Sequence, residues 1–158
     1  MASKILLLLT YTFSITCFSI GQPLYKTIED IEEYANYELI EEGNLEDLAS
    51  QAYLISVLKK NSDYIVLFSL FIGEYPNDSL KLLDKVKIDS LSGKKSIGFQ
   101  FCIFNDELDT EIVAVVLKDD KEYFTSVEKA WRADRINRKL IPIDTLGISC
   151  WNIDYMWE

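Results

Sequence analysis

The chain has 158 residues, enough for one domain, and its 26 acidic and 16 basic residues give a formal net charge of −10. This charge works against binding to nucleic acid or to an anionic membrane surface. The chain contains no histidine, which removes the usual general base of triad hydrolases and the commonest metal ligand.

Residues 1–21 have the features of an export signal. Lys4 supplies the positive start, an apolar stretch follows to about Ile20, and small residues precede a cut between Gly21 and Gln22. The stretch is shorter than a membrane span and is interrupted by hydroxyl side chains. We therefore predict a cleaved signal, a single domain over residues 22–158 without a stable membrane span, and a location in the periplasm or outside the cell.

Two alternatives remain for the first segment, an uncleaved anchor and an outer-membrane lipoprotein attached through Cys17. Ser14 and Thr16 stand where a lipobox needs an aliphatic and a small residue. The sequence therefore favours cleavage over lipidation.

The first part of the mature chain has the spacing of two helices. Apolar residues recur at helical intervals over 24–42, Thr27 and Asp30 resemble a capping box, and Gly43 is a suitable end. An asparagine can then cap a second helix over 44–60. A connection this short predicts a helical hairpin.

The rest of the chain has strand patterns. Residues 64–72 form an apolar run that fits a strand covered on both faces. Further strands are predicted around Val86 and Ile88 and over 97–104, 110–118, 123–134 and 140–143. The segment 123–134 also fits a helix, and Pro142 restricts the last strand to a sheet edge or a bulge. The predicted fold class is α+β, an N-terminal helical hairpin packed on an antiparallel β-sheet of about four to six strands.

Two cysteines remain after cleavage, Cys102 and Cys150. In an oxidising compartment this pair can form a disulfide, which closes a loop of about 50 residues and stabilises the fold by about 4 kcal/mol on the chain-entropy estimate. Two buried free thiols are the alternative. Neither cysteine has the CxxC partner of a zinc site, and neither has a histidine that could activate it as a nucleophile.

Two stretches resemble known exported proteins. The signal ending Ser19-Ile20-Gly21 before Gln22 resembles export signals of the Bacteroidota. The runs VEKAWR at 127–132, NRK at 137–139 and GISCWN at 147–152 resemble the C-terminal end of small uncharacterised exported proteins of those bacteria. The chain departs from that pattern at Ile136 and Trp151, where a turn residue and a smaller residue are expected. The resemblance implies a strand–turn–strand arrangement and no particular activity.

The most uneven charge lies in the predicted helices. Between residues 26 and 47 there are nine acids and a single base. A solvated helix face is one interpretation, and a docking surface for a basic protein partner is the other, since such a field speeds association. The candidate partner-binding residues are Glu29, Asp30, Glu32, Glu33, Glu38, Glu41, Glu42, Glu46 and Asp47.

Charges of the opposite sign gather further along the chain. A basic cluster is formed by Lys129, Arg132, Arg135, Arg138 and Lys139. The last four are candidate anion-binding residues, although an ordinary charged turn or pairing with the acidic residues explains them equally well. The turn with Asp106, Glu107, Asp109 and Glu111 has the oxygen ligands of a calcium site but not the spacing of an EF-hand. We predict no metal and no cofactor.

Aromatic residues alternate at the C-terminus. Trp151, Ile153, Tyr155 and Trp157 fit a last strand against the core, or, if they are exposed, an interface hot spot.

Together these features predict a non-catalytic exported binding protein of the bacterial cell envelope. One version is an immunity or inhibitor protein that binds a basic partner through the acidic helical face. A small-ligand-binding cone, similar to nuclear-transport-factor-like or cystatin-like α+β folds, is the first alternative. A hydrolase that uses two carboxylates is the second, and it requires two buried carboxylates held close together.

Overall fold

The computed structural model describes residues 23–45, 53–73, 79–89, 91 and 93–157. The predicted export signal with Cys17 lies outside these residues, and so do Glu46 and Asp47 of the acidic set.

The described chain folds into three antiparallel sheets of four strands each. In spatial order, the N-terminal sheet contains β1 (Glu38–Leu45), β2 (Tyr53–Lys60), β3 (Asp63–Ile72) and β4 (Ser79–Ile88). The central sheet contains β11 (Lys139–Ile143), β10 (Val127–Asp134), β8 (Ile112–Leu117) and β5 (Lys95–Phe99). The disulfide sheet contains β7 (Glu107–Leu108), β6 (Cys102–Phe104), β12 (Ile148–Trp151) and β9 (Tyr123–Phe124). Short 3₁₀ helices occur at Glu32–Tyr34 and Ile153–Trp157.

The central sheet lies between the other two. Val57 and Phe68 of the N-terminal sheet share a core with Val113 of β8. Ala114, on the opposite face of β8, shares a second core with Ile148 of the disulfide sheet. The strand is therefore buried on both faces, which explains its unbroken apolar run.

The predicted helix over 24–42 is wrong. Residues 23–37, here called the N-terminal layer, cover the outer face of the N-terminal sheet with Ile28, Ile31 and Tyr34 buried. Ile31 N–H donates to Ile28 C=O at 3.0 Å, and Tyr34 N–H donates to Ile31 C=O at 2.7 Å. These successive turns place a buried residue every three positions, which is close to the spacing of an apolar stripe on an α-helix. The sequence pattern therefore does not distinguish the two structures.

The predicted second helix over 44–60 is also wrong, and no helix of the described residues reaches seven residues. The strand β2 contains six consecutive buried residues, from Tyr53 to Leu58. A surface helix buries one stripe only, whereas a strand between the N-terminal layer and the central sheet buries both faces. The α+β fold class with its helical hairpin is therefore corrected to an almost all-β fold of three sheets.

The later strands agree better with the sequence. The run 64–72 matches β3, which is buried on both faces over most of its length. The ambiguous segment 123–134 contains β9 and β10 and is therefore strand. The strand β11 lies at the edge of the central sheet, as Pro142 requires.

The predicted strand over 97–104 is broken at Gln100. This residue has a φ of 63°, and there the chain leaves β5 of the central sheet and enters β6 of the disulfide sheet. The Gln100 side chain also donates from Nε2 to the Asn44 carbonyl at 3.2 Å. Gly43 makes room for it, because a Cβ at this position would lie 2.0 Å from Gln100 Cδ.

Cys102 and Cys150 lie directly opposite each other on β6 and β12 and are joined as a disulfide. Both are buried. Gly98 of β5 packs so closely against them that a Cβ at this position would lie 2.8 Å from Cys150 Cβ. The disulfide therefore also packs against the face of β5 on which Gly98 lies.

The C-terminal aromatic alternation is not a continuous strand. The strand β12 ends at Trp151, and the chain then turns into the 3₁₀ helix. Ile153 and Tyr155 are 47% and 49% exposed, so they do not pack against the core as a last strand would. In the described part of the chain, no helix has both the length and the apolar character needed to cross a bilayer.

Candidate functional site

One edge of the central sheet is left without a partner strand. The sheet ends at β5, and the ladder between β5 and β8 shows which groups point outward. Lys118 N–H donates to Lys94 C=O at 2.6 Å, so this pair is a hydrogen-bonded one. Because bonded pairs alternate in an antiparallel ladder, Ser96 and Gly98 face β8 in the same way.

The intervening residues of β5 turn their backbone groups away from β8. These residues are Lys95, Ile97 and Phe99. The Phe99 carbonyl accepts a hydrogen bond from Phe101 N–H at 2.7 Å. The N–H and C=O of Ile97 have no partner among the described residues. The centre of β5 therefore presents one free donor and one free acceptor.

A groove of about 310 Å³ runs along this edge. Its lining includes four consecutive residues of β5, from Ser96 to Phe99. The remaining lining residues are Glu41, Phe101, Lys118, Phe124, Trp151, Asn152, Ile153 and Asp154. We call this space the β5 groove.

The two walls of the β5 groove differ in chemistry. Along β5, Ile97 and Phe99 face the N-terminal sheet, whereas Gly98 faces the disulfide. Glu41, which belongs to the N-terminal sheet, therefore stands on the first side. Trp151 and the residues around it stand on the side of the disulfide sheet.

An aromatic pair forms much of the second wall. The rings of Phe101 and Trp151 meet edge to face with centroids 5.5 Å apart. Phe101 remains 43% exposed, and its carbonyl accepts a hydrogen bond from Trp151 N–H at 2.9 Å. Ile153 extends the same wall. The groove thus has an exposed apolar face, which is typical of a contact surface.

Charge in the groove is carried by three side chains. Lys118 Nζ lies 3.5 Å from Asp154 Oδ2, so these two largely offset each other. Glu41 has no ion-pair partner among the described residues, and partial burial raises the pKa of its carboxyl. Glu41 therefore gives the groove its uncompensated negative charge.

A second space of about 330 Å³ lies beyond the pair of Lys118 and Asp154. Phe124 and Asn152, like Lys118 and Asp154, line both spaces. Asn152 is buried and its side chain donates to the Lys121 carbonyl at 2.9 Å, which fixes the chain between the two spaces.

The seven described acids of the predicted partner-binding set are all exposed, but they do not share one face. Glu29, Asp30, Glu32 and Glu33 lie in the N-terminal layer, and the other three lie in β1. In β1, Glu41 lies opposite Val57 and Glu42 opposite Ser56, so the two point to opposite faces of the sheet.

Three of these acids have local structural roles. Asp30 Oδ2 accepts a hydrogen bond from Thr27 N–H at 2.9 Å. Glu33 forms an ion pair with Lys85, whose Nζ lies 2.6 Å from its Oε1, and this contact lowers the pKa of Glu33. Glu42 accepts a hydrogen bond from Ser56 Oγ at 3.1 Å. The remaining members, Glu29, Glu32, Glu38 and Glu41, have no ion-pair partner in the described structure.

The predicted anion-binding residues are used differently. Arg132 pairs with Asp109, and Arg135 Nε lies 2.5 Å from Glu111 Oε1. Two acids of the predicted calcium turn, Asp109 and Glu111, therefore pair with two of the three arginines of the basic cluster. Arg138 and Lys139 are exposed at the turn before β11 and at its first residue.

The described residues do not bring two buried carboxylates together. No carboxylate in this part of the chain is buried, since the buried polar side chains there are Ser56, Ser69 and Asn152. No group of three metal-ligating side chains is found in it either. In the strand β3, Leu67 and Phe68 are fully packed in cores and have no exposed surface.

No protein-family model matches the chain, and comparisons with curated proteins and with solved structures give no significant match. The geometry of the described residues is therefore the basis for the functional conclusion.

The sequence singled out Glu41 and the tail with Trp151 and Ile153, but not the groove that these residues line. The unpaired position of Ile97 depends on its register with β8, and the ion pair of Lys118 with Asp154 joins residues distant in sequence. A usable signal was the isolated Gly98, because a glycine inside a strand marks a close approach of another backbone or side chain.

Proposed function

We propose that this protein is a non-catalytic exported binding protein that engages a basic protein partner. An immunity or inhibitor protein of the cell envelope is the version that its size and charge suit best. The observation that carries the proposal is the surplus of exposed acids on the N-terminal layer and β1, which remains after the ion pair of Glu33 with Lys85 and the position of Lys59 opposite Glu38 are taken into account. Glu29, Glu32 and Glu38 are exposed there without an ion-pair partner among the described residues.

The distribution of ion pairs supports this conclusion. At the central sheet, by contrast, two acids are offset by local bases, Asp109 by Arg132 and Glu111 by Arg135. A surface whose negative charge is left over attracts a positive partner and speeds its association. The contribution of this surface charge to the association rate weakens with added salt, because exposed charges are screened.

The test is capture of partners from envelope extract at low salt, followed by a salt titration of the purified pair. The test variant combines Glu29→Gln, Glu32→Gln and Glu38→Gln. The control variant combines Asp106→Asn, Glu107→Gln and Glu122→Gln, which removes the same charge from exposed positions elsewhere.

We expect the test variant to slow association by about tenfold or more, and the control variant to change it much less. A partner that is acidic, or that binds both variants equally well at every salt concentration, would contradict the proposal.

A further inference from the structure

The two edges of the central sheet differ in whether their outward backbone groups are free to pair with another strand. At the β11 edge, Leu140 N–H donates to Asp84 Oδ2 at 2.9 Å, and Pro142 has no N–H to offer. Both outward donors of that edge are therefore unavailable to another strand. At the β5 edge, Ile97 keeps both its N–H and its C=O without a partner in the described structure. Proteins usually protect such an edge, because it is a template for pairing with another chain.

The β5 groove opens beside these groups. A strand of five residues, the length of β5, is about 17 Å long. An added strand would lie about 4.8 Å from β5. Its side chains would alternate between Glu41 on one side and the ring pair of Phe101 and Trp151 on the other.

We propose that the β5 groove binds an extended segment of a basic protein by strand addition to β5. The segment hydrogen-bonds to the backbone of Ile97, directs lysine or arginine side chains toward Glu41, and places apolar side chains on Phe101, Trp151 and Ile153. This inference rests on the proposed function for the charge of the partner and adds the mode of binding to it.

Charge decides between the candidate occupants of this edge. A second copy of the chain would bring another net charge of −10 and another acidic β1 toward the same edge. A basic segment instead compensates Glu41. Strand addition also supplies affinity through main-chain hydrogen bonds, and the alternating side chains supply the specificity.

The first experiment measures binding of the protein to the synthetic peptide acetyl-GKVKFKG-amide by calorimetry. Two derivatives carry N-methyl groups, one on the backbone nitrogens of the three lysines and the other on those of the valine and phenylalanine. In an added strand, only one of these two sets of N–H groups faces β5. We expect one derivative to lose binding by about tenfold or more and the other to bind like the parent peptide. Absence of binding by the parent, or an equal response to both derivatives, overturns strand addition.

The peptide acetyl-GQVQFQG-amide separates this inference from the proposed function. Weaker binding of this neutral peptide supports both. Equal binding of the neutral and basic peptides, with one methylated derivative still impaired, leaves strand addition intact and contradicts a basic partner. If both methylated derivatives bind equally well and the neutral peptide binds more weakly, strand addition is contradicted and a basic partner is supported.

Amide hydrogen exchange of the protein locates the bound peptide without any substitution. We expect exchange at Ile97 to slow by about tenfold in the complex, while Gly98, whose amide already faces β8, changes little.

The variant Phe101→Ala should weaken peptide binding. The control Leu108→Ala, at an apolar residue of β7 that is 64% exposed, should not. Protection at other strands instead of Ile97 overturns the assignment. So does a dimer in solution that the peptide fails to dissociate, because a second copy then occupies the edge.

Discussion

The two edges of the central sheet show how the same fold can close one strand and leave another open. At β11, a carboxylate from β4 and a proline remove the outward donors. At β5, the backbone of Ile97 is left facing a groove with an aromatic wall and an unpaired acid. An edge that is closed by specific residues serves stability, whereas an open edge beside a shaped groove is a place for a ligand.

The largest expected effect comes from removing the support behind β5. The double variant Cys102→Ala, Cys150→Ala should lower the free energy of unfolding by about 4 kcal/mol, because the bridge closes a long loop in the unfolded chain. Chemical denaturation measures this loss, and the native protein under reducing conditions is the control. Hydrogen exchange should rise more at Gly98, which packs on the disulfide, than at Leu140. An equal rise at both would show that the disulfide does not act locally on the β5 edge.

Opening the closed edge is expected to have the next largest effect. In Asp84→Ala, the N–H of the buried Leu140 loses its acceptor, and the free energy of unfolding should fall by about 1–3 kcal/mol. Asp84→Asn keeps one side-chain oxygen, which can accept from Leu140 N–H, and gives up only the acceptor for the exposed Lys85 N–H, so it should lose less. Thermal and urea unfolding of the two variants make the comparison. Equal losses would mean that the hydrogen bond to Leu140 does not account for the role of Asp84.

A smaller change should convert the closed edge into one that pairs. Pro142→Val gives β11 an additional outward donor and removes the rigidity of proline from the unfolded chain. The free energy of unfolding should fall by about 0.4–1 kcal/mol, while sedimentation at high protein concentration should show more self-association. A matched Ile141→Val variant, at an exposed position of the same strand, should not associate. Association of neither variant would show that proline is not what closes this edge.

The smallest expected effect concerns the acid beside the open edge. Burial raises the pKa of Glu41 above its ordinary value, so the folded protein holds this proton more tightly than the unfolded chain does. Stability from this group is therefore present at low pH and is lost as the pH rises from about 4.5 through the folded pKa. The other charged side chains that line the groove are Lys118 and Asp154, which pair with each other.

At neutral pH, Glu41→Gln should be more stable than the native protein by less than about 1 kcal/mol, because solvent screens the partly exposed carboxylate. The difference should disappear below that pH range. Urea unfolding across pH measures it, with Glu38→Gln on the same strand as the control. A constant difference at every pH would exclude titration of Glu41 as its cause.

Much of the β-structure was predictable from local pattern. The run of β3 and the position of Pro142 predicted a doubly covered strand and an edge strand, and both predictions are confirmed. The helical hairpin was not predictable in this way. Ile28, Ile31 and Tyr34 repeat at a spacing that three-residue turns and helices share, and only tertiary packing decides between them.

The candidate site was predictable only in parts. Composition identified the acidic residues as exposed, because exposure follows from their charge, whereas for the tail aromatics the sequence left burial and exposure both open. The free backbone of Ile97 was not identifiable, since it depends on which neighbour each strand pairs with. Pairing of the basic cluster with Asp109 and Glu111 likewise depends on contacts across β8 and β10.

Gln100 has a mechanical consequence for the whole molecule. Its backbone carries the chain from the central sheet to the disulfide sheet, and its amide is hydrogen-bonded to Asn44 of the N-terminal sheet. All three sheets are thus linked through one residue that directly follows the open strand. The junction at Gln100 therefore ties the position of β5 to both neighbouring sheets, through the backbone on one side and through a side-chain hydrogen bond on the other.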